Sequence, residues 1–362
     1  MAGMTSYERI KRMYEHREAD RVAVTGFPIT DGPWGGTVPR WHEEGMPDDV
    51  SYVDFFGLDR IAVIHADTSP RYPEQVVEEA EDWVISTIKW GATLRQWKYR
   101  GGTPEFLDFR VKDPESWAEA KARMAPGRDR VEWKSLRRDY RRWRDEGAWV
   151  VAEFLFGFDV LHAWMVGTER MLVAMAERPD WARDMFNHSL DVCIAVFEMI
   201  WDAGYEFDMV WWPDDIGTMR GPWFSPGMYR ELLKPVHKRA ADWAHARKLK
   251  VHLHSCGYIE PLIPDLIDAG IDMIDPVQVR AGMDPVSLKG RYGDRLGLHG
   301  GLDGVLFYNE PERLWPAMTQ VIPAMKEKGG YIACFDHTAH QTVSLGTFRH
   351  FVELAKQLGS YE

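Results

Sequence analysis

The stretch Val251-His-Leu-His-Ser-Cys-Gly257 contains the end of a predicted buried strand, 250–254, and carries side chains of the types that bind metals. His254 ends the strand and Cys256 lies two residues later, and residues two apart on an extended chain point to the same side. Cys334 ends another predicted strand. Imidazole nitrogen and thiolate sulfur are the ligands that zinc prefers, and three protein ligands leave a fourth position open for chemistry. These three residues therefore predict a catalytic zinc site.

The alternative is that the same three residues only fill the core. Free cysteines are among the most buried residue types, and a buried histidine can simply be satisfied by hydrogen bonds. The occurrence of three such residues at strand ends favours the interpretation as a metal site. Cys193 lies on a helical pattern and is predicted to be a core residue.

The fold class is predicted from β-rich runs that alternate with amphipathic helical patterns, as is typical of parallel strands joined by crossover helices. Barrels of this type run about 250 residues or more as one domain. We expect residues 1–362 to form a single (β/α)8 TIM barrel. A β-hairpin outside the barrel, with arms at 83–89 and 93–99, could cover its mouth. The eight predicted strands are 22–27, 61–65, 149–154, 208–212, 250–254, 271–274, 295–298 and 331–335.

Composition narrows the classes of partner. The formal net charge is −12, without the dense basic footprint that nucleic acid requires. The longest apolar stretch, 149–167, is interrupted by Glu153, Asp159 and His162 and fails as a membrane span. Three cysteines cannot form a disulfide framework, and the N-terminus lacks a secretory signal pattern. We expect a cytoplasmic protein that acts on a small molecule; the oligomeric state stays open.

Further motifs are Asp214-Asp-Ile-Gly217, Phe224-Ser-Pro-Gly-Met-Tyr-Arg230, Lys234-Pro235, Ile274-Asp-Pro-Val-Gln278 and Gly300-Gly-Leu-Asp303. Together with the His-x-Cys pair and Cys334, they resemble the uroporphyrinogen decarboxylase superfamily. Within it, a His-x-Cys pair followed by a distant cysteine is similar to the zinc-dependent, corrinoid-linked methyltransferases, including those that methylate coenzyme M. The decarboxylases grip substrate carboxylates with an arginine-rich motif on the first strand, and the matching range 22–31 contains no arginine.

The resemblance implies transfer of a methyl group between a small substrate and the cobalt of cobalamin. The chain has no Asp-x-His-x-x-Gly signature of a corrinoid domain, so a separate corrinoid protein is the expected partner. Either methylcobalt(III) methylates a zinc-bound thiolate, or cobalt(I) attacks the methyl of a zinc-polarised methoxy donor. Seventeen tryptophans favour a methoxylated aromatic donor.

Other polar residues near strand ends are candidates for supporting roles. Asp336 and His337 either orient a ligand or relay a proton, or they form local hydrogen bonds. His252 shares the side of His254 and either supports that ligand or packs in the barrel. Glu153, costly to bury alone, is a candidate for a displaceable fourth zinc ligand. The candidate substrate-binding residues are Trp212, Asp214, Gln278 and Asp303.

Two other functions compete with methyl transfer. A tetrapyrrole decarboxylase would need no zinc but would need cationic groups for several substrate carboxylates. A non-catalytic zinc or corrinoid accessory protein would be expected to have a closed, four-ligand site, whereas the sequence offers three strong ligands.

Overall fold

The computed structural model describes residues 3–29, 32–99 and 103–361. In chain order the strands are β1 (Ala23–Gly26), β2 (Ile61–Ile64), β3 (Gln75–Glu79), β4 (Trp83–Thr87), β5 (Ala92–Trp97), β6 (Glu105–Phe109), β7 (Trp149–Glu153), β8 (Met209–Pro213), β9 (Gly217–Thr218), β10 (Gly221–Pro222), β11 (Lys250–His254), β12 (Met273–Val277), β13 (Gly297–Gly300) and β14 (Tyr331–Cys334).

The α-helices alternate with these strands over most of the chain. They are α1 (Ser6–Tyr14), α2 (Thr37–Glu43), α3 (Tyr52–Phe56), α4 (Pro114–Arg123), α5 (Trp133–Asp145), α6 (Phe158–Leu161), α7 (Thr168–Glu177), α8 (Pro179–Asp202), α9 (Pro226–Met228), α10 (Lys234–Ala246), α11 (Ile263–Ala269), α12 (Pro285–Tyr292), α13 (Gly304–Asn309), α14 (Pro311–Lys326) and α15 (Leu345–Leu358).

Eight parallel strands form the barrel sheet, in the order β1-β14-β13-β12-β11-β8-β7-β2. They are the eight strands predicted from the sequence, so the α/β barrel fold class is confirmed. Strands β1, β12, β13 and β14 are buried along their whole length, as expected of parallel strands with helices outside and packed side chains inside. Among the described residues, no helix has both the length and the apolar character to cross a membrane.

The hairpin predicted outside the barrel is present but belongs to a larger sheet. Strands β4 and β5 are its arms, and β3 and β6 extend it to four antiparallel strands in the order β3-β4-β5-β6. The prediction missed β3 and β6, because neither Gln-Val-Val-Glu-Glu nor Glu-Phe-Leu-Asp-Phe alternates regularly between polar and apolar residues. We call β3–β6 the small sheet.

The small sheet packs against the segment that follows α6. Trp90, in the β4–β5 turn, lies with its ring centroid 5.5 Å from that of Trp164, and Val111 N donates to Met165 O at 3.3 Å. Gly91 has a φ of +102° in the same turn, and a Cβ there would lie 3.0 Å from the Tyr72 ring, so the turn requires glycine. The small sheet is thereby placed beside the carboxyl ends of the barrel strands.

Asp59 links β1 and β2, the two end strands of the barrel sheet. Its backbone N–H donates to Val24 O at 2.8 Å, and its Oδ2 accepts from Val24 N at 2.7 Å. The same carboxylate pairs with Arg9 at 2.5 Å and with Arg21 at 2.7 Å, and its side chain is only 1% exposed. The carboxylate therefore holds α1, β1 and the start of β2 together.

We expect Asp59→Asn to lower the free energy of unfolding by about 3 kcal/mol, because it removes a buried carboxylate that pairs with both Arg9 and Arg21 and leaves Arg9 with Asp20 as its remaining described partner. Denaturant unfolding would measure this. Lys238→Met removes one partner of an exposed pair with Asp242 and serves as control, with an expected change within about 0.5 kcal/mol. Equal effects of the two substitutions would contradict the assigned role of Asp59.

Candidate metal centre

A group of three potential ligands lies at the mouth of the barrel. Atoms of Asp215, His254 and Cys256 lie within 4.8 Å of one another. His254 Nε2 is 3.7 Å from both Cys256 Sγ and Asp215 Oδ1. Ligand atoms that each lie about 2.0–2.3 Å from a tetrahedral zinc are roughly 3.3–3.8 Å apart, so these separations fit one metal ion.

The turn after β11 brings the three residues together. Cys256 N donates to Asp215 Oδ1 at 2.7 Å, and Gly257 N donates to Gln278 Oε1 at 2.6 Å. Gly257 has a φ of +85°, and a Cβ there would lie 2.4 Å from the backbone of Gly217. Only glycine permits this close approach. The turn that carries Cys256 is thus packed directly on the loop that carries Asp215.

Buried groups below the mouth shift the pKa of His254 and of its neighbours. Burial alone would lower the pKa of His254, but the Asp275 carboxylate outweighs it and holds that pKa well above its ordinary value. Burial alone would raise the pKa of Asp275, and His252 and His254 instead hold it well below its ordinary range. Burial lowers the pKa of His299 to about 3, so this histidine is neutral.

The structure brings together two of the three predicted zinc ligands, His254 and Cys256. Cys334 is buried at the end of β14, and its Sγ donates to Phe335 O at 3.0 Å; it does not belong to the described three-residue group. Sequence reasoning did not include Asp215 among the candidate metal ligands. The available signal was its place just after β8, which pairs directly with β11.

Glu153, the predicted fourth ligand, faces a different partner. Its Oε2 lies 2.6 Å from His65 Nδ1, and this hydrogen bond raises the pKa of His65 above its ordinary value. Glu153 lies outside the described group of metal-ligand atoms. The pair joins the ends of the neighbouring strands β2 and β7.

Three of the predicted supporting residues hold loops in place. Asp336 accepts hydrogen bonds from Val279 N at 2.9 Å and Gly304 N at 2.7 Å, and burial raises its pKa to about 6. Asp303 caps α13 and pairs with Arg280 at 2.9 Å. Gln278 supports the Cys256 turn, as described above. These side chains therefore shape the mouth through backbone contacts.

Three other predicted residues are fully buried. Trp212 packs between Phe156 and His237, with ring centroids 5.1 and 5.5 Å away. Asp214 accepts from Asp159 N at 2.8 Å and lies 2.7 Å from His237 Nε2. Neither offers a surface to a substrate. His252 lies inside the barrel, where its Nδ1 is 2.5 Å from the Tyr14 hydroxyl and its Nε2 is 3.1 Å from Asp275 Oδ1.

A cavity of about 750 Å³ opens beside the metal-ligand group, between the barrel mouth and the small sheet. His337 and Asp215 are part of its wall, and Ile88, Leu94 and Phe106 of the small sheet form another part. The described lining contains neither lysine nor arginine. It is rich in aromatic side chains, namely Trp34, Phe106, Trp164 and Trp223.

We expect the purified protein to bind about one zinc ion per chain and Cys256→Ser to lose it, because the substitution removes the thiolate. The loss in affinity should exceed the roughly 10–100-fold that loss of an outer-shell partner costs. Elemental analysis after dialysis would measure it. Asp215→Ala and Cys334→Ser then identify the third protein ligand.

Cys193→Ser is the matched control for those variants, since Cys193 is buried in α8, its Sγ donates to Leu155 O, and it lies outside the described groups of metal-ligand atoms. It should retain the metal. Unchanged zinc content in Cys256→Ser would contradict the site.

Comparison with known proteins supports the fold described above. A search of curated proteins found no match. Among solved structures, a methyltransferase from Methanosarcina mazei superimposes with a TM-score of 0.67 and 14% sequence identity, over 98% of this chain and 99% of that chain. At this identity the likeness shows the fold alone. A family model, uroporphyrinogen decarboxylase (URO-D), matches residues 154–358, which is more than half of the chain, and the chain therefore belongs to the uroporphyrinogen decarboxylase family.

Proposed function

We propose that this chain is a zinc-dependent methyltransferase that moves a methyl group between a small substrate and the cobalt of a separate corrinoid protein. The observation that carries the proposal is the thiolate–imidazole–carboxylate group of Cys256, His254 and Asp215, of which Asp215 also lines an aromatic-rich cavity. The fold likeness to a protein named as a methyltransferase supports the same activity.

The three side chains suit zinc in charge as well as in distance. One thiolate, one carboxylate and one neutral imidazole give a zinc complex a formal charge of zero, as two thiolates and one imidazole would. When bound there, zinc supplies Lewis acidity toward a thiolate or an ether oxygen at an open fourth position. Cys256, His254 and Asp215 would hold it beside the cavity, whose lining includes Asp215.

The cavity walls favour an aromatic substrate without anionic groups. Trp34, Trp164 and Trp223 offer flat apolar surfaces. The carboxylates of Asp159 and Asp215 lie in the same described lining, where no lysine or arginine accompanies them. A methoxylated aromatic donor fits these walls, and a small thiol is the alternative substrate.

Tetrapyrrole decarboxylation ranks second. Membership of the uroporphyrinogen decarboxylase family favours it. Several substrate carboxylates would require cationic partners in the cavity, and the described lining provides none. The first-strand range 22–31 also lacks arginine in the sequence.

We expect methyl transfer to require added cobalamin or a corrinoid protein, because nothing in the sequence supplies the cobalt nucleophile. The assay is the absorbance change between cobalt(I) and methylcobalt(III) across methoxylated aromatic donors and thiols. Cys256→Ser should abolish the signal and Cys193→Ser should preserve it. Full turnover by the isolated protein without cobalamin would rule the proposal out.

A second prediction concerns the open coordination position. Cobalt(II) substituted for zinc should change its visible spectrum when a thiol or a methoxylated substrate is added, because the heteroatom enters the fourth position. Addition of an apolar aromatic without a heteroatom is the control and should leave the spectrum unchanged. A spectrum indifferent to every thiol and ether would indicate a structural metal and would favour the accessory-protein alternative.

A further inference from the structure

The two nitrogens of the His254 ring face different groups. Nε2 lies 3.7 Å from both Cys256 Sγ and Asp215 Oδ1, whereas Nδ1 lies 3.4 Å from Asp275 Oδ1. A neutral imidazole carries one ring proton, and the nitrogen that binds a metal cannot hold it. When Nε2 binds the metal, the proton is on Nδ1, and the Asp275 carboxylate is an acceptor within reach.

Asp275 is held from several directions inside the barrel, where it is fully buried. Its Oδ2 accepts a hydrogen bond from Ile29 N at 3.1 Å, and its Oδ1 lies 3.1 Å from His252 Nε2. Its backbone carbonyl accepts from Ser255 N at 2.7 Å. Ser255, the residue next to His254, is therefore hydrogen-bonded to the same aspartate that faces the His254 ring. The contacts of Asp275 thus link the His254 ring to the turn that carries Cys256.

His299 lies beside the same carboxylate but cannot donate a hydrogen bond to it. Its Nε2 is 2.8 Å from Thr25 Oγ1, and the Thr25 hydroxyl proton is donated to Phe27 O at 2.9 Å. Thr25 must then accept from His299 Nε2, which leaves Nδ1 without a proton. That nitrogen lies 4.0 Å from Asp275 Oδ2, so two acceptors face each other. His299 thus provides a control of equal burial.

We propose that Asp275 is a positioning residue of the metal centre. It accepts the proton of His254 Nδ1 and so fixes the tautomer and ring orientation that present Nε2 to the metal. The inference rests on the proposed function only through the role of His254 as a ligand. Metal-binding histidines usually donate their other N–H to such a partner, and loss of the partner typically costs 10–100-fold in metal affinity.

The same buried residues allow one competing arrangement. Donor atoms of His252, Asp275 and His299 lie within 4.8 Å of one another and could hold a second metal ion. In that case His299 would be a ligand, and its removal would cost one metal per chain. If Asp275 is instead a positioning residue, removal of the His299 side chain should cost no metal ion. The two arrangements therefore differ in the number of metal ions bound per chain.

The test is zinc affinity, measured on the chelator-stripped full-length protein by competition with a chromophoric chelator. Asp275→Asn keeps the shape and an acceptor for Ile29 N, but its amide can donate to His254 Nδ1 and so move the ring proton to Nε2. We expect affinity to fall 10–100-fold in Asp275→Asn and to change no more than a few-fold in His299→Asn. Thermal unfolding in excess chelator checks that the metal-free variants are as stably folded as the metal-free wild-type protein.

Wild-type zinc affinity in Asp275→Asn would overturn the proposal, and so would an equal loss of zinc affinity in Asp275→Asn and His299→Asn. It would also be overturned if the wild-type chain bound two zinc ions and His299→Asn lost one of them. Zinc retained by Cys256→Ser would instead overturn the metal centre itself. A second measurement needs no variant. NMR of the ¹⁵N-histidine-labelled, zinc-loaded protein should show the His254 proton on Nδ1, and a proton on Nε2 would overturn the assignment.

Discussion

The hydrogen bond from Cys256 N to Asp215 Oδ1, 2.7 Å long, ties together the two loops on which the candidate site depends. It is possible because β8 and β11 are parallel neighbours, with His254 opposite Pro213 in the register. Parallel pairing places the carboxyl ends of both strands at one edge, so the residues that follow them meet there. A carboxylate and a thiolate distant in sequence thereby become candidates for one metal ion.

A second constraint is the cost of burying charge in the barrel interior. An isolated carboxylate there would be expensive, and Asp275 is surrounded by the imidazoles of His252, His254 and His299. Two of these imidazoles hold its pKa low, and the third is neutral. The barrel core therefore contains a polar column directly beneath the mouth, in place of the branched apolar layers typical of such barrels.

The small sheet adds what the barrel alone does not provide, namely a wall opposite the strand ends. Ile88, Leu94 and Phe106 of this sheet face the same cavity as Trp223 and His337 of the barrel loops. The cavity therefore has apolar walls on two sides, one from the barrel loops and one from the small sheet.

The sequence by itself determined the eight barrel strands and the His-x-Cys pair, because strand patterning and the two-residue spacing of ligands are local properties. Tertiary structure alone decided which neighbouring residue faces the site. On an extended segment a shift of one residue reverses the side, and so Asp215 lies at the mouth while Asp214 is buried against His237. Likewise Trp211 lies 6.0 Å from His254, whereas Trp212 packs outward.

The position of Cys334 shows the same limit. Its place at the end of β14 could be predicted, since an apolar run marks the strand. The direction of its thiol depends on the packing of the flanking strands, which no local pattern encodes. The contacts of Asp275 also join residues from β11, from β13 and from the segment that follows β1. Such contacts exist only once the sheet has curled into a barrel, and for that physical reason the sequence could indicate the ligands but not the groups that surround them.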